Sequence, residues 1–183
     1  MRFNFDDVGD FHRKFGLHNV TYTAAEPVEY TDDLIKFRLK FLLEELQEIV
    51  EGCGYCVAHV SEPQGGSHLE AVKKPNGSMK HEAVFDGLLD LAYVTFGMAH
   101  VLGYPWQDGW DEVQRANITK ERCGINHTYI DSGHQDYEGC VSCGKPREQH
   151  SLRGSAYDVI KPRGWHAPDI KSILKRVGFI LGG

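Results

Sequence analysis

The sequence predicts an all-α fold, a helical bundle with a small irregular insert near the C-terminal end of the chain. Apolar residues recur at helical spacing in two long stretches, at about 31–50 and 80–102. Each stretch also carries acidic residues spaced to share one helix face. A segment at 121–154 is rich in Gly, His and Cys and has no helical period. We therefore predict a helical core at 1–120, a Cys/His insert at 121–154 and a C-terminal tail at 155–183 that packs on the core.

The composition is ordinary for a soluble globular protein and excludes several classes of partner. The 183 residues suit one domain with a small appendage, and the net charge of -6 argues against a nucleic-acid surface. No run approaches the roughly 20 apolar residues of a membrane span, and the N-terminus lacks a signal-peptide pattern. We expect a cytoplasmic protein (host cytoplasm if the source is viral) with no nucleic-acid or membrane partner.

Helical periodicity and capping residues predict five helices, at about 6–15, 31–50, 80–102, 105–120 and 168–174. Thr31 is the predicted N-cap of the second helix, and Gly103 is the predicted C-cap of the third. Residues 53–79 carry Gly-, Pro- and Asn-rich turn signals and predict a long loop. Because loops of this length are uncommon unless they are functional, we expect this one to cover a site.

Two acidic pairs stand out in the two longest helices. Glu45 and Glu48 are three residues apart, and Asp86 and Asp90 are four apart. Like charges at these spacings destabilise a bare helix by a few tenths of a kcal/mol per pair. A divalent cation between them would reverse the sign of that effect.

Carboxylates on two crossing helices can hold Mg²⁺, which prefers oxygen ligands. Such an ion neutralises phosphate charge and lowers the pKa of a bound water. The alternative is that the acids form a solvated helix face. Asp86 and Asp90 are interleaved with leucines, and isolated acids in apolar surroundings are costly, so this pair favours a metal site.

The order of these motifs resembles one enzyme family. The motifs are Glu44-Glu45-x-x-Glu48, Asp86-x-x-x-Asp90-Leu-Ala-Tyr-Val and Glu112-Val113-x-x-x-Asn117-x-x-Lys120. Together they resemble the MazG-like all-α nucleoside triphosphate pyrophosphohydrolases, relatives of the dimeric dUTPases and of phosphoribosyl-ATP pyrophosphohydrolase. The tail from Val159 to Ile170, with Lys161-Pro162-Arg163-Gly164-Trp165, resembles that of small, often phage-encoded members.

The resemblance implies a Mg²⁺- or Mn²⁺-dependent enzyme that controls a nucleotide pool. It would cleave a nucleoside triphosphate between the α- and β-phosphates and release a monophosphate and pyrophosphate. The implied metal ligands are Glu45, Glu48 and Asp90, with Asp86 as the fourth. Glu44 would be a neighbour of a ligand or would orient the attacking water. Family members assemble as dimers or tetramers, so we expect a homodimer or homotetramer.

The resemblance also implies substrate contacts. Lys120 and Asn117 match an Asn-x-x-Lys element, and Lys120 would contact phosphate as a point charge. Arg38 matches a basic position before the acidic motif and would act in the same way. For the base, the candidates are aromatic and polar residues near the first helix and the long loop: Phe11, His12, Phe15 and Tyr93. The three aromatics are equally compatible with an ordinary core.

One position departs from the family pattern. The family has Glu-x-x-Asp on the second acidic helix, and here Gly87 stands three residues before Asp90. Asp86 replaces the missing acid at an atypical spacing, and Glu82 is a reserve candidate. Substrate preference stays open: dGTP is one option, and dUTP or dCTP is the alternative.

The insert carries a second constellation, His134-x5-Cys140-x2-Cys143-Gly144-x5-His150. Two thiolates and two imidazoles in this pattern predict a closed, structural Zn²⁺ site that would let a coreless module fold. The alternates for the histidines are His127 and Cys123, and free thiols with surface histidines are the simpler interpretation.

Two further thiols, Cys53 and Cys56, form a second Cys-x-x-Cys but have no nearby histidine pair. We interpret them as ordinary cysteines. A hypothesis from another functional class is a zinc-module binding protein on a helical scaffold, which leaves the acidic pairs unexplained.

Overall fold

The computed structural model describes residues 4–17, 31–62, 65–120, 129–131, 138–140, 161 and 164–178. The chain divides into two compact units, Met1–Tyr104 and Pro105–Gly183. The helices in the described part are α1 (Asn4–Lys14), α2 (Asp32–Gly52), α3 (His81–Leu102), α4 (Trp106–Ile118) and α5 (Ile170–Arg176). The strands are β1 (Tyr55–Glu62), β2 (Gly66–Lys73), β3 (Tyr129–Asp131) and β4 (Glu138–Cys140).

The predicted helix ends are confirmed where capping chemistry marks them. The Thr31 hydroxyl accepts a hydrogen bond from the Leu34 backbone N–H at 3.3 Å and caps α2. Gly103 ends α3 in the left-handed conformation, with φ 67°, and its N–H is bonded to carbonyls of the last turn. Both signals are local, so sequence alone located them.

The two longest helices, α2 and α3, pack antiparallel at close range. A Cβ placed on Gly52 would lie 3.0 Å from Val84 Cγ2, and one placed on Gly87 would lie 2.9 Å from Ile49 Cγ1. These contacts run in opposite order along the two helices, which fixes their direction. Small residues at such points let two backbones approach, so the glycines set the spacing of the helix pair.

The short helix α1 packs on the C-terminal half of α3. Val8 is buried at 1% exposure, and the Phe5 ring stacks on His100 with centroids 3.7 Å apart. The His100 Nε2 hydrogen bonds to the Phe5 carbonyl at 2.7 Å. These contacts hold α1 against α3 in the first unit.

The predicted long loop at 53–79 is wrong, and with it the expectation of an all-α chain. Strands β1 and β2 form an antiparallel hairpin in register from Tyr55–Lys73 to Glu62–Gly66. Gly65, with φ 81°, lies in its turn, so the turn signals mark the end of a hairpin. The described fold is therefore mostly helical with a small sheet.

The apolar character of α3 is high enough that, by length and composition alone, this helix could cross a membrane. Core helices of soluble proteins pass the same test. Here α3 contacts both α1 and α2, and it carries Glu82, Asp86 and Asp90. Within the first unit, 22% of its most apolar window is buried.

In the second unit the tail docks on α4. The Trp165 indole N–H donates to the Ala116 carbonyl at 2.7 Å, and the Asp169 backbone N–H donates to the Glu112 carboxylate at 3.0 Å. Arg176 pairs with Asp108 at 2.8 Å. Within the predicted insert, β3 and β4 form a short antiparallel pair. The division into core, insert and tail stays a prediction.

Candidate active site

The acidic residues of α2 and α3 face one another across the helix pair. The pKa of Glu45 is raised, first by partial burial and then by the negative charges of its neighbours. These neighbours are Glu48, Asp90, Glu44 and Asp86, in order of decreasing effect. The five acids that the sequence singled out are therefore near enough for the charges of four of them to act on Glu45. Glu82 is not among the charges that raise this pKa.

Gly87 explains why the second acidic motif departs from the expected spacing. It lies against α2, where an added Cβ would be 2.9 Å from Ile49 Cγ1 and 3.8 Å from the Glu45 carbonyl oxygen. A glutamate at this position has no room without a shift of the helices. Asp86, one residue earlier, is exposed and carries its charge towards Glu45. Gly87 thus allows the close contact with α2, and Asp86 supplies the acidic group that position 87 has no room for.

The donor set suits a hard divalent cation. All its members are carboxylates, which Mg²⁺ and Mn²⁺ accept as ligands, and their mutual repulsion is what a cation would relieve. In the described part of the chain, no three His, Cys, Asp or Glu side chains are already close enough to hold an ion. Glu48, Asp86 and Asp90 are exposed, so their side chains are free to rotate inward. The residues fit the ion in chemistry, and binding requires rearrangement of side chains.

Glu44 differs from the other acids because it has a counter-ion. Its carboxylate lies 3.3 Å from the Lys40 ammonium, one helical turn earlier, and both side chains are exposed. A pair of this kind fixes the direction of a carboxylate but adds little stability. The proposed roles of Glu44 as neighbour of a ligand or as orienter of water stay predictions.

Arg38, predicted to contact phosphate, lies inside the first unit. It is 9% exposed, burial lowers the pKa of its guanidinium, and its Nε has no hydrogen-bond partner in the described residues. A Cβ on Gly97 would lie 3.3 Å from the Arg38 Nη1 and 2.9 Å from the His12 Nε2. The Arg38, His12 and Gly97 positions therefore converge where α1, α2 and α3 meet.

The distance of this buried cluster from the acids follows from the helices. Arg38 precedes Glu45 by seven residues on α2, and Gly97 follows Asp90 by seven on α3. Seven residues are two turns, so the cluster lies on the same helix faces, roughly 10 Å further along the helix pair.

Aromatic side chains lie between these two groups. The Phe11 ring is 5.6 Å from Tyr93 and 4.7 Å from Phe15 between centroids. Their exposures are 40% for Phe11, 39% for Tyr93 and 55% for Phe15, so they are not core residues, whereas His12 is, at 2%. Tyr93 is one turn from Asp90 on α3, and partial burial, with the charge of Asp7, raises its pKa. The predicted base-contacting aromatics thus form an exposed cluster.

The second unit contains Asn117 and Lys120. Asn117 is exposed, and its carbonyl accepts the Lys120 backbone N–H at 3.1 Å just after α4 ends. The Lys120 ammonium is 6.0 Å from the centroid of the Trp165 ring. The Asn-x-x-Lys element therefore meets the tail.

Several features were missed in the sequence. The burial of Arg38 and the approach of Gly97 to His12 depend on contacts between distant segments. The position of Lys120 beside Trp165 does so as well. For the hairpin a signal exists in the sequence: Val57 and Val60 precede the turn-forming residues Pro63-Gln64-Gly65, and Leu69 and Val72 follow them.

The predicted zinc site lies almost wholly outside the described residues. Of its ligands, only Cys140 is within them, at the end of β4 and without a described side chain. His134, Cys143 and His150, and the alternates Cys123 and His127, are outside them. Cys53 and Cys56 are free, half-buried thiols, and the Cys56 thiol donates to the Val72 carbonyl at 3.6 Å.

Comparison with known proteins identifies the family. The profile of the phosphoribosyl-ATP pyrophosphohydrolase family matches residues 8–117. This range is more than half of the chain, and it contains the acids, Arg38, the aromatic cluster and Asn117. A search of curated proteins finds no match. Pyrophosphohydrolases are hydrolases that act on acid anhydrides. The chain belongs to the phosphoribosyl-ATP pyrophosphohydrolase family, within the MazG-like nucleoside triphosphate pyrophosphohydrolase superfamily.

Proposed function

We propose that this protein hydrolyses nucleoside or deoxynucleoside triphosphates to the monophosphate and pyrophosphate. The observation that carries the proposal is the placement of five carboxylates on α2 and α3, where four of the charges act on Glu45, inside the region that matches the family. A solvated helix face would need no such convergence. Nucleotide phosphates are strongly anionic, so a site of this charge requires a cation to accept them.

Glu45, Glu48, Asp86 and Asp90 are the residues that would hold Mg²⁺ or Mn²⁺. A bound ion supplies charge neutralisation at the phosphates and polarisation of a water. Support comes from the all-oxygen donor set and from the raised pKa of Glu45, to which partial burial contributes most and the negative charges of its neighbours add.

In the reaction, a water oxygen bonds to the α-phosphorus and the bond from that phosphorus to the oxygen bridging to the β-phosphorus breaks. The β- and γ-phosphates leave as pyrophosphate, and the proton of the water passes to a carboxylate or to solvent. Glu44 would orient the attacking water, and its ion pair with Lys40 is compatible with that role. Asn117 and Lys120 match the Asn-x-x-Lys element to which the resemblance gives a phosphate-contacting role.

The nucleoside end is assigned to the exposed aromatic cluster. Phe11, Phe15 and Tyr93 offer ring faces, and Tyr93 lies one turn from Asp90 on α3. Base–aromatic stacking is energetically significant and tolerant of base identity. Arg38 lies two turns from Glu45 on α2, further from the acids than the aromatic cluster. The candidate substrates are dGTP and, as the alternative, dUTP or dCTP. Phosphoribosyl-ATP is a further candidate because the family is named for its hydrolysis.

Homo-oligomerisation is part of the proposal. Large apolar side chains on α2 and α3 are exposed in the single chain, including Leu43 at 63% and Phe85 at 65%. Their neighbours Phe37, Leu88 and Leu89 are also exposed. Extended apolar faces of this kind mark association surfaces. A homodimer or homotetramer would cover them.

The test is a panel of all common NTPs and dNTPs, with phosphoribosyl-ATP, assayed with Mg²⁺ or Mn²⁺ for monophosphate and pyrophosphate. We expect at least one substrate to turn over, and Glu48→Ala to lower kcat by about 100-fold or more, in line with loss of electrostatic stabilisation. Glu51→Ala is the matched control, because Glu51 is on α2 but pairs with Gln47 and Lys74. No metal-dependent turnover of any substrate, or full activity in Glu48→Ala, contradicts the proposal.

A further inference from the structure

The tail places an aromatic ring beside the last turn of α4. The Trp165 indole N–H donates to the carbonyl of Ala116, a fully buried residue, at 2.7 Å. Further along the tail, the Asp169 N–H bonds to Glu112 at 3.0 Å. The ring is therefore held at a defined position relative to α4.

Two ammonium groups meet this ring from different segments. The Lys120 Nζ, just after α4, is 6.0 Å from the ring centroid, and the Lys161 Nζ, in the tail, is 4.4 Å from it. Both are within the range of cation–π attraction. Because both distances are measured to the same centroid, their sum is the largest possible separation of the Lys120 and Lys161 ammonium nitrogens. Gly164, with φ 75°, adopts the left-handed conformation between Lys161 and Trp165 and so permits the turn there.

The arrangement concentrates positive charge without a matching acid. Among the described residues, no carboxylate forms an ion pair with either ammonium. The nearby acid Glu112 is already engaged by Arg115 and by the Asp169 N–H. Two like charges near one ring repel each other, and an anion bound to both would offset that repulsion.

We propose that Lys120 and Lys161 together form a pyrophosphate-binding site, with Trp165 as the residue that positions both. The identity of the anion rests on the proposed function, since pyrophosphate is both its product and the terminal part of its substrates. Lysines bind phosphate as point charges, and a diphosphate has enough charge and length to meet two of them. Lys161 thus adds a tail residue to the recognition of phosphate.

The experiment uses the full chain with inorganic pyrophosphate as the probe. Calorimetry gives Kd for pyrophosphate, and steady-state kinetics give KM and kcat for the best nucleotide. We expect Lys161→Ala to raise both Kd and KM about tenfold while kcat changes little, because an exposed charge-assisted contact is lost. Lys171→Ala removes an exposed lysine of α5 away from the ring and should leave both values within about twofold.

Trp165 is tested separately as a positioning residue. Trp165→Leu removes the ring but keeps both lysines, and it should raise Kd for pyrophosphate and KM. Trp165→Phe, which keeps a ring face for the two cations, should partly restore both. Circular dichroism on each variant confirms that the helices persist. Equal effects of the leucine and phenylalanine variants would overturn the positioning role.

The outcomes separate this site from the proposed function. Unchanged Kd and KM in Lys161→Ala, or an equal effect of Lys171→Ala, overturns the site and leaves the proposed function intact. If no nucleotide is hydrolysed but Lys161→Ala still weakens pyrophosphate binding tenfold, the site stands and the proposed function falls.

Discussion

Replacing Glu45 by glutamine should stabilise the protein in the absence of metal and destabilise it, relative to wild type, in the presence of Mg²⁺. Glu45 is partly buried and is surrounded by the charges of Glu48, Asp90, Glu44 and Asp86. The amide has nearly the same shape as the carboxylate but no charge. The substitution therefore removes repulsion and also removes a metal ligand.

The two effects can be estimated separately. The like-charge pair of Glu45 with Glu48, three residues on, costs about 0.2–0.5 kcal/mol. The weaker repulsions from Asp90, Glu44 and Asp86 bring the relief to about 1 kcal/mol in a metal-free sample. For a chain of this size, that corresponds to a rise in Tm of about 2–4 °C. Wild type, at Mg²⁺ a hundredfold above its Kd, gains about 2.7 kcal/mol, most of which the variant loses. The order of the two melting temperatures should therefore invert.

The assay is thermal unfolding of wild type and Glu45→Gln in EDTA and in MgCl₂. Glu51→Gln is the control, because the same change on α2 lies outside the cluster, beside Lys74. It should lower Tm slightly, if at all, and should keep the wild-type response to Mg²⁺. A wild-type Tm that does not respond to Mg²⁺ or Mn²⁺, together with a less stable Glu45→Gln in EDTA, would refute the metal cluster.

Three further predictions concern the helix contact, the tail and the insert. Gly87→Glu recreates the usual family spacing but should cost about 1–3 kcal/mol in urea unfolding, because its Cβ would lie 2.9 Å from Ile49 Cγ1; unchanged stability would contradict the close approach. The hydrogen bonds from Arg115 and from the backbone of Asp169 lower the pKa of Glu112 from 4.5 to about 2. The contribution of Glu112 to tail docking should therefore be complete above about pH 4.5 and lost as pH falls through about 2. The loss is measured as disappearance of the protected Trp165 indole N–H resonance. The Glu112→Gln variant should not show this pH dependence. The purified chain should retain about one Zn²⁺ through dialysis and release it to a thiol-reactive reagent; metal analysis after growth with ample zinc that finds none would exclude the site.

The parts of the fold that sequence predicts are those governed by local chemistry. Thr31 and Gly103 mark helix ends because a side-chain cap and a left-handed glycine act within one turn. The convergence of Glu45 with Asp90 was also predictable, since helical spacing places acids on one face and resemblance supplies the pairing of the helices.

The missed parts depend on contacts between distant segments. Arg38 is buried although arginines are usually exposed, and no local signal reports the three helices around it. In the sequence, Gly87 is only a departure from the acidic motif of the family. Its contact with Ile49 shows that it sets the spacing of the two helices. The β1–β2 hairpin was hidden because its turn residues also suit a long loop.

We propose that the acidic cluster hydrolyses a nucleotide at the bond between the α- and β-phosphates. Phosphorus NMR of the preferred triphosphate, mixed with the protein and Mg²⁺, observes that bond directly. We expect the resonances of the monophosphate and of pyrophosphate to grow together, and both to be absent with Glu48→Ala. Orthophosphate and a nucleoside diphosphate as the first products, or turnover that persists in Glu48→Ala, would contradict it.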